Sequence, residues 1–418
     1  MKSLLVAPTL PDESGNGLAM RIGLFLEALC QLGEVELVVL PLFESDVSSN
    51  PFCRRLHISP TVIPTAGRAE THFRLLKQVA DPRSRLEAFR QYGKPSLSAS
   101  LSLPVMNDLR QWLEGQHFDL VHIARAYMLP AIDAWPQNER PRISVDLDED
   151  DIKAQQRIAA LHRLHGDVDA GDWLEVEAAA FSRLIEQRLC NADLAFVSTE
   201  VDRETLHARN PSVALTVAEN AVSIPPVPVR ERRGSELLFV GGFGFFPNAD
   251  AAFWILDEIL PGLTGKLSDR PSLVIVGRNP SPELRTRAQA LGVSILDSVE
   301  DLAPIYAHAT VALVPVRAGG GSRIKLLEAV AHGVPVVATT LGAEGTRMRD
   351  GEEIWLADTT EAMIDTIETV LQSPTEAARR AFKARACTER FYSRQASVLA
   401  LCQRLSEFRP EGASSHDV

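Results

Sequence analysis

The sequence predicts an α/β protein built from two doubly wound domains. With 418 residues and 45% hydrophobic content, the chain exceeds the size at which a single hydrophobic core stops growing. Short apolar runs alternate with segments of helical period, which is typical of βα units in a parallel sheet. A proline-rich, charged stretch, 224-IPPVPVRERRG-234, divides the chain and predicts a stiff, solvated linker.

The alternation is most regular after residue 235. Asn248 and Ser298 are predicted to cap the N-termini of helices over 249–260 and 299–309. The predicted strands of this half are 237-LLFVG-241, 273-LVIVG-277, 293-VSIL-296, 311-VALVP-315 and 334-VPVVAT-339.

The first half of the chain shows the same pattern less regularly. Residues 42–115 are rich in basic side chains and are predicted to be irregular. The predicted strands are 2–7, 35–40, 119–123, 142–146 and 194–198, and the predicted helices lie near 17–33, 173–190 and 200–209.

These patterns predict where the domains begin and end. The two domains are expected to face each other across a central cleft, with ligands beyond the carboxyl ends of the parallel strands. The predicted division is an N-terminal domain over 1–224, a linker over 225–234, a C-terminal domain over 235–389, a last helix at about 390–408 that completes the N-terminal domain, and a flexible tail over 409–418.

Composition and charge exclude several classes of function. The net charge of -12 argues against a general nucleic-acid binder, because phosphate backbones would be repelled. Five cysteines without C-x-x-C spacing fit reduced thiols in a cytoplasmic protein rather than a disulfide or metal framework. The N-terminal apolar run is too short for a signal peptide, and no stretch reaches about 18 apolar residues, so any membrane contact is expected to be peripheral.

The stretch 319-GGGSRIKLLEAVAHGVPVVATT-340 predicts an anion-binding site. Three glycines give a ligand close access to backbone amides, and the following helix start adds unpaired N–H groups and a partial positive charge. Arg323 and Lys325 are predicted in the first turn of this helix, where cations oppose the helix dipole unless an anion compensates them. Phosphate is a good candidate for this anion.

Glu328 follows Lys325 by three residues and is therefore expected on nearly the same helix face. Its carboxylate has the geometry to accept two hydrogen bonds from the vicinal hydroxyls of a ribose. The alternative is an ordinary surface pair of Lys325 and Glu328, with Arg323 solvated and a glycine turn of a kind common in α/β folds.

The segment G-G-S-R-x-K-L-L-E-A-x-A-x-G-x-P-V-V-A-T resembles the donor-binding segment of retaining GT-B glycosyltransferases, specifically glycosyltransferase family 4. The resemblance is specific over roughly residues 190–390 and points to the branch associated with exopolysaccharide synthesis. Three further stretches carry it: 238-LFVGGFGFFPNADAAFWILDEILPGL-263, 298-SVEDLAPIYAHATVALVP-315 and 218-AENAVSIP-225.

This resemblance implies the GT-B fold of two Rossmann-like domains and a nucleotide-diphosphate sugar as co-substrate, with no other cofactor and no obligatory metal. The pyrophosphate is then expected at Gly320, Gly321 and Ser322, and the ribose at Glu328. The turn that begins at Gly242 is expected beside the donor.

The sequence departs from the family pattern at two places. The family has two glutamates eight positions apart, and the earlier position is Gly320 here. The family also often supplies an arginine and a lysine from the turn that is 242–247 here, and this turn has neither. Arg323 and Lys325 are the predicted catalytic cations in their place. A lost hydrogen bond to a charged group costs about 1.5–3 kcal/mol, which weakens catalysis without abolishing it.

In the first half, the loop after the first strand carries Gly15 and Gly17 ahead of a helix. The resemblance places this loop opposite the donor diphosphate, with Arg21 as the nearest helix residue; a flexible surface loop is an equal alternative. His122 is the third predicted catalytic residue: it is expected at a strand end, in reach of sugar or acceptor, and the alternative is a structural histidine.

Two charged stretches complete the candidates. The run 146-DLDEDD-151 is interpreted as a solvated acidic loop rather than a D-x-D metal site. Basic residues between 68 and 94 outnumber acidic ones, which fits either a solvated helix face or a surface resting on anionic lipid.

The leading interpretation is a metal-independent glycosyltransferase that moves a sugar to a glycan or lipid-linked glycan, in bacterial polysaccharide or cell-envelope synthesis. The alternatives are a non-catalytic nucleotide-sugar binding protein, an NAD-dependent oxidoreductase and a sugar-nucleotide epimerase. The base, sugar, acceptor, linkage and oligomeric state stay open at this point.

Overall fold

The structure is a computed structural model that describes residues 1–42, 50–226, 234–267, 269–297, 299, 301–321 and 323–407. Ser298, Ser322, the tail over 409–418 and most of the predicted linker lie outside these residues. The chain divides into two compact units. The first unit is Met1–Glu219 with the segment that begins at Ser397, and the second unit is Asn220–Ala396.

The first unit contains a seven-stranded, wholly parallel sheet with the strand order β3-β2-β1-β4-β5-β6-β7. Its strands are β1 (Lys2–Ala7), β2 (Glu34–Val39), β3 (Thr61–Val62), β4 (Leu120–Ala124), β5 (Arg142–Asp148), β6 (Leu194–Val197) and β7 (Leu215–Val217). Its helices are α1 (Gly17–Leu32), α2 (Pro51–Arg55), α3 (Thr71–Leu76), α4 (Pro82–Tyr92), α5 (Leu103–Leu113), α6 (Asp151–Leu164), α7 (Val168–Arg188) and α8 (Glu200–Arg209), with 3-10 turns at Leu97–Ser100, Ala126–Ala134 and Leu189–Asn191.

The second unit contains a six-stranded, wholly parallel sheet with the order β10-β9-β8-β11-β12-β13. Its strands are β8 (Glu236–Val240), β9 (Ser272–Val276), β10 (Ser294–Leu296), β11 (Val311–Val314), β12 (Val336–Ala338) and β13 (Trp355–Leu356). Its helices are α9 (Phe246–Trp254), α10 (Leu260–Lys266), α11 (Pro282–Ala290), α12 (Ala303–His308), α13 (Ile324–Ala331), α14 (Thr340–Ala343), α15 (Thr360–Gln372) and α16 (Pro374–Phe391), and α17 (Arg394–Ser406) runs from this unit into the first.

The predicted strands are confirmed to within two residues at each end because their apolar runs are buried on both faces of the sheets. Leu4, Leu5 and Val6 of β1 have no exposed surface, and the same is true of Val336 and Val337 in β12. Helices cover both faces of such a sheet, so nearly every side chain of a central strand packs into a core.

Four sequence predictions about helices are wrong. The helix predicted over 299–309 begins only at Ala303, with Leu302 rather than Ser298 as its N-cap residue. Residues 42–115 are not irregular, since α2, α3, α4 and α5 lie there. Asn248 is not an N-cap, because its helix already begins at Phe246. The last helix is not continuous: the chain breaks at Tyr392 and Ser393, where backbone hydrogen bonds pair it with Val222.

No helix in the described part of the chain is long and apolar enough to cross a membrane.

Candidate functional site

The candidate donor site lies at the switch point of the second sheet. β8 and β11 are neighbours there, and the connections after them lead to opposite sides, since β9 lies beyond β8 and β12 beyond β11. Ligands of doubly wound sheets bind beyond the carboxyl ends of the strands at such a point. The turn that contains Gly242 follows β8, and the glycine loop, Gly319–Gly321, follows β11.

The glycine loop depends on glycine for its backbone. Gly319 and Gly321 have φ angles of 107° and 68°, a region that other residues rarely adopt. A Cβ atom on Gly319 would lie 3.5 Å from Nη1 of Arg323 and 3.7 Å from Cζ of Phe245. The loop and the turn after β8 therefore approach each other closely, and they bring Gly242, Gly320 and Gly321 to the same edge of the sheet.

Arg323 lies at the tip of α13, as its N-cap residue rather than inside the first turn. Its side chain is buried, with Nε donating to the carbonyl of Leu341 at 3.0 Å and Nη1 donating to the carbonyl of Gly320 at 2.8 Å. The guanidinium thus fastens the glycine loop to the start of α14. It also holds a positive charge beside the loop that is expected to receive the diphosphate.

Lys325 is half-buried in the first turn of α13 and points toward the turn after β8. Its Nζ donates to Oδ1 of Asn248 and lies 5.6 Å from the centroid of the Phe239 ring. The amide of Asn248 in turn donates to the carbonyl of Gly242 at 2.9 Å. Burial, and then repulsion by Arg323, lowers the pKa of Lys325 to about 7.

Glu328 lies one turn further along α13 and is also half-buried. Burial raises the pKa of its carboxyl to about 7, against the opposing attraction of Lys325. Tyr306 of α12 is fully buried nearby, and its ring stacks on His332 with centroids 4.7 Å apart. Burial, and then the carboxylate of Glu328, raises the pKa of this phenol well above its ordinary value. Lys325 and Glu328 therefore both change protonation state at about pH 7.

Arg317 is a residue of this site that sequence reasoning missed. It stands two positions before the glycine loop and makes two hydrogen bonds, of 2.9 and 2.6 Å, to the buried carboxylate of Asp250. Its guanidinium also lies 4.8 Å from the centroid of the Trp254 ring. The pair ties the loop after β11 to α9. The only sequence signal was an arginine between a buried strand and three glycines.

The first unit has its own switch point, between β1 and β4. Gly15 and Gly17 follow β1, as predicted from the sequence, with Gly17 as the first residue of α1. Gly15 is exposed with a φ of 85°, and Asn16 caps α1 by accepting the N–H of Leu18 at 2.9 Å. A ligand role for these glycines stays a prediction.

His122 lies in the middle of β4 and not at a strand end, because β4 continues to Ala124. The ring is fully buried, stacks on Phe25 with centroids 4.2 Å apart, and its Nδ1 lies 2.8 Å from Oγ of Ser144. Burial, and then repulsion by Arg21, lowers its pKa to about 3. The imidazole is therefore neutral at physiological pH, and its predicted catalytic role would need the ring to become exposed.

Arg21 is fully buried and is not available to a ligand. Its Nε and Nη2 donate to the two carboxylate oxygens of Asp146 at 3.0 and 2.8 Å, and Nη1 donates to the carbonyl of Ala218. This pair connects α1, β5 and the end of β7. The resemblance predicted Arg21 beside a diphosphate, but the structure uses it to hold the first unit together.

The acidic run 146–151 is not the solvated loop that the sequence predicted. Its first three residues belong to β5, and Asp151 begins α6. Arg125 donates to Asp148 at 2.7 Å, to Glu149 at 2.9 Å and to Asp151 at 3.0 Å, so these carboxylates surround one buried cation. Among the described residues, no group of three or more histidine, cysteine, aspartate or glutamate side chains is arranged to hold a metal ion.

Part of the second unit matches a known protein family. Residues 234–373 match the glycosyl transferases of group 1. This segment contains the turn after β8, the glycine loop and all of α13, so the group 1 match covers every predicted donor residue that the structure describes in the second unit. The resemblance is confirmed at this level; membership of family 4, its exopolysaccharide branch and the retaining mode stay predictions.

Part of the chain is also similar in sequence to a mannosyltransferase. The phosphatidyl-myo-inositol mannosyltransferase of Mycobacterium leprae is 34% identical over 134 residues, which is 31% of this chain and 35% of that protein. The chain therefore aligns with about a third of that relative.

Solved structures match nearly the whole chain. Anabaena Alr3699/HepE, solved in complex with UDP and glucose, has a TM-score of 0.67 at 14% identity, covering 97% of this chain and 100% of that one. Sucrose-phosphate synthase from Thermosynechococcus elongatus has a TM-score of 0.65 at 14% identity, covering 97% and 98%. At such identities the likeness shows the fold alone, and the predicted GT-B fold of two Rossmann-like units is confirmed.

Proposed function

We propose that this protein is a glycosyltransferase that transfers a sugar, with retention, from a nucleotide-diphosphate sugar to a glycan or lipid-linked glycan. The observation that carries the proposal is the arrangement at the switch point of the second unit. There, the glycine loop, two cations and a half-buried carboxylate lie within one loop and two turns of helix. The group 1 match over residues 234–373 and a structural neighbour solved with UDP and glucose support it.

In this proposal the diphosphate binds at Gly320 and Gly321, on the N-terminus of α13. The first turn of a helix has N–H groups without intrahelical acceptors and carries a partial positive charge. Lys325 then moves its ammonium from Asn248 toward the phosphates, and the added negative charge raises its pKa. Arg323 contributes its charge from the other side while it keeps the loop in place. Ser322, which lies outside the described residues, is part of the same proposed cradle.

The reaction needs positive charge more than it needs a base. Cleavage of the sugar–phosphate bond develops charge on the departing diphosphate, and preorganised cations stabilise that charge. We therefore propose that Arg323 and Lys325 supply this stabilisation and that the reaction needs no metal. Turnover measured after treatment with a chelator and again with added magnesium tests the point, because dependence on magnesium would contradict it.

Glu328 is the proposed ribose ligand. Two hydroxyls of a ribose donating to an ionised carboxylate form charge-assisted hydrogen bonds. The acceptor is proposed to be a glycan or a lipid-linked glycan of the cell envelope, at the cytoplasmic face of a membrane. Two points support this part of the proposal. The sequence resembles the exopolysaccharide branch, and its five cysteines are free thiols, as is typical of cytoplasmic proteins.

The test is a thermal-shift screen of nucleotides and nucleotide sugars, followed by transfer assays with the donor that binds. A ligand at 100 times its dissociation constant stabilises the folded protein by about 2.7 kcal/mol. Glu328→Gln should remove most of that stabilisation, whereas Glu361→Gln, at an exposed position on α15, should not. Equal shifts in the two variants would place the ribose elsewhere. The anomeric configuration of the product, read by NMR, tests retention.

A second candidate function rests on Gly320, which stands where the resembling family has its first glutamate. A protein that has lost this contact to the sugar would bind nucleotide sugars without transferring them. Donor binding in the thermal-shift screen, combined with no hydrolysis and no transfer, would favour this candidate over the enzyme.

A further inference from the structure

A cavity lies in the first unit and is lined by none of the proposed donor-site residues. It has a volume of about 750 Å³ and opens between α4 and the turn that joins α6 to α7. Leu86 of α4 and Trp173 and Leu174 of α7 form its apolar wall. Cavities of this size are typical of sites for small organic molecules or for part of a larger amphiphile.

The apolar wall is rigid. Trp173 stacks on Phe89 with ring centroids 4.0 Å apart and an angle of 12° between the planes. Phe89 belongs to a small core with Phe73 and Tyr92 that fastens α3 and α4 to α7. The indole is therefore held half-buried, with its remaining surface on the cavity, by a cluster that needs no ligand to form.

The same cavity carries a surplus of positive charge. Lys77, Arg83 and Arg85 line it, and in the described part of the chain none of them forms an ion pair with a carboxylate. Two acidic residues also line it, but Asp172 is already paired with an arginine of α6 at 2.8 Å. The three lining cations thus outnumber the one lining carboxylate, Asp169, that lacks an ion-pair partner among the described residues. The charge is complementary to an anion.

Large apolar side chains are exposed close to cavity-lining residues: one is two residues from Lys77, one is two residues from His162, and the third lines the cavity itself. Leu75 of α3, Leu164 at the end of α6 and Val168 at the start of α7 are 57%, 73% and 55% exposed. Exposed aliphatic side chains combined with lysine and arginine are typical of surfaces that enter the headgroup region of a membrane. A free inorganic anion would bind the cations but would make no favourable contact with the leucines or the indole.

We propose that this cavity binds an anionic phospholipid of a bilayer surface. The lipid phosphate lies between Lys77, Arg83 and Arg85, and the glycerol and first acyl methylenes lie against Trp173 and Leu86. The site anchors the first unit on the membrane. It is independent of nucleotide-sugar binding, because no residue of the second unit takes part.

The test is co-sedimentation of the whole protein with vesicles of phosphatidylglycerol and phosphatidylcholine in equal parts, and with vesicles of phosphatidylcholine alone. Binding is expected to the mixed vesicles, to weaken with added salt, and to be absent with phosphatidylcholine. Each cation near an anionic surface strengthens binding about fivefold, so Lys77→Gln/Arg83→Gln/Arg85→Gln should bind on the order of a hundredfold more weakly.

A matched variant removes the same charge elsewhere. Arg54, Lys383 and Arg390 are exposed helical residues that form no ion pair with the described carboxylates, and replacing all three with glutamine should leave vesicle binding within a few-fold of wild type. Thermal unfolding and donor binding of both triple variants should match wild type, which separates lost membrane binding from misfolding. Equal loss in the two variants would reduce the effect to net charge and overturn the proposal.

Fluorescence tests whether the cavity itself meets the lipid. Lipids brominated near the headgroup quench tryptophans that they touch, and Trp173→Phe keeps an aromatic ring on Phe89 while removing that emission. Most of the quenching should disappear in Trp173→Phe and persist in Trp355→Phe, a substitution in the second unit. Unchanged quenching in Trp173→Phe, or no binding of wild type to the mixed vesicles, would refute the site.

Discussion

The pair of Lys325 and Glu328 predicts a bell-shaped dependence of donor affinity on pH. In the free protein both groups have pKa values of about 7, one lowered and one raised by burial. The diphosphate favours protonated Lys325, so affinity is lost as the pH rises above that value. The ribose favours ionised Glu328, so affinity is lost as the pH falls below it. The two groups interact, so the two limbs belong to the pair.

The size of the effect follows from the titration. Each pH unit beyond the pKa of one group lowers affinity by up to about tenfold, or about 1.4 kcal/mol, until the pKa of the bound state is reached. Between about pH 7, where each group is half in its favourable form, and about pH 9, the net loss is roughly 25-fold. Isothermal titration of a nucleotide sugar measures it without interference, because an esterified diphosphate does not titrate in this range.

Two substitutions assign the limbs. Lys325→Met should remove the alkaline limb, and Glu328→Gln should remove the acidic one. In Glu328→Gln the alkaline limb should also move to lower pH, because the carboxylate no longer favours the charge on Lys325. A flat wild-type profile, or an acidic limb that survives in Glu328→Gln, would refute the assignment of the donor to these two side chains.

Three further outcomes follow from buried charges and a buried ring. Asp250→Asn should lower the free energy of unfolding by about 1–3 kcal/mol and weaken donor binding, since Arg317 loses its charged acceptor beside the glycine loop. Asp146→Ala should cost about 3–5 kcal/mol in chemical denaturation because it leaves Arg21 charged and buried, and replacing both residues with apolar ones should recover much of the loss. His122→Asn should leave the pH profile of turnover unchanged, since an imidazole with a pKa of about 3 does not titrate near neutrality; a shifted profile would show that the ring acts on substrate.

Most of the fold could be predicted because local pattern and tertiary structure agree. Central strands such as β1 and β12 are buried on both faces and therefore read as apolar runs. β3 and β13 have two residues each, too few to show any period, and they were missed. The break at Tyr392 was also missed, because helical period continues on both sides and the interruption comes from pairing with Val222, far away in the chain.

Part of the candidate site could likewise be predicted from the sequence, and part could not. The glycine loop, Lys325 and Glu328 lie within ten residues of one another, so their order alone predicted a binding site. The partners that set their chemistry are distant: Asn248 is 77 residues from Lys325, and Asp250 is 67 residues from Arg317. The prediction for Arg21 was wrong for the same reason. Its carboxylate partner is 125 residues away in the chain, so sequence reasoning assigned the arginine to a ligand.

Gly320 offers a direct test of what the departure from the family pattern costs. Its neighbours Gly319 and Gly321 have positive φ angles and Gly320 does not, so only the middle glycine tolerates a larger side chain without backbone strain. Gly320→Glu restores the carboxylate that the resembling family places on the transferred sugar, and a hydrogen bond of that kind is worth about 1.5–3 kcal/mol, or roughly 10- to 150-fold in turnover.

The expected outcome is faster turnover in Gly320→Glu, because the new carboxylate adds a contact at a position that lacks the strain of a positive φ. Gly321→Glu is the matched control: it adds the same charge one position away, but at a φ of 68° it should destabilise the protein and weaken donor binding. If Gly320→Glu folds and binds the donor yet turns over no faster, then the sugar does not lie over this glycine. The diphosphate would then bind in an orientation different from the one proposed.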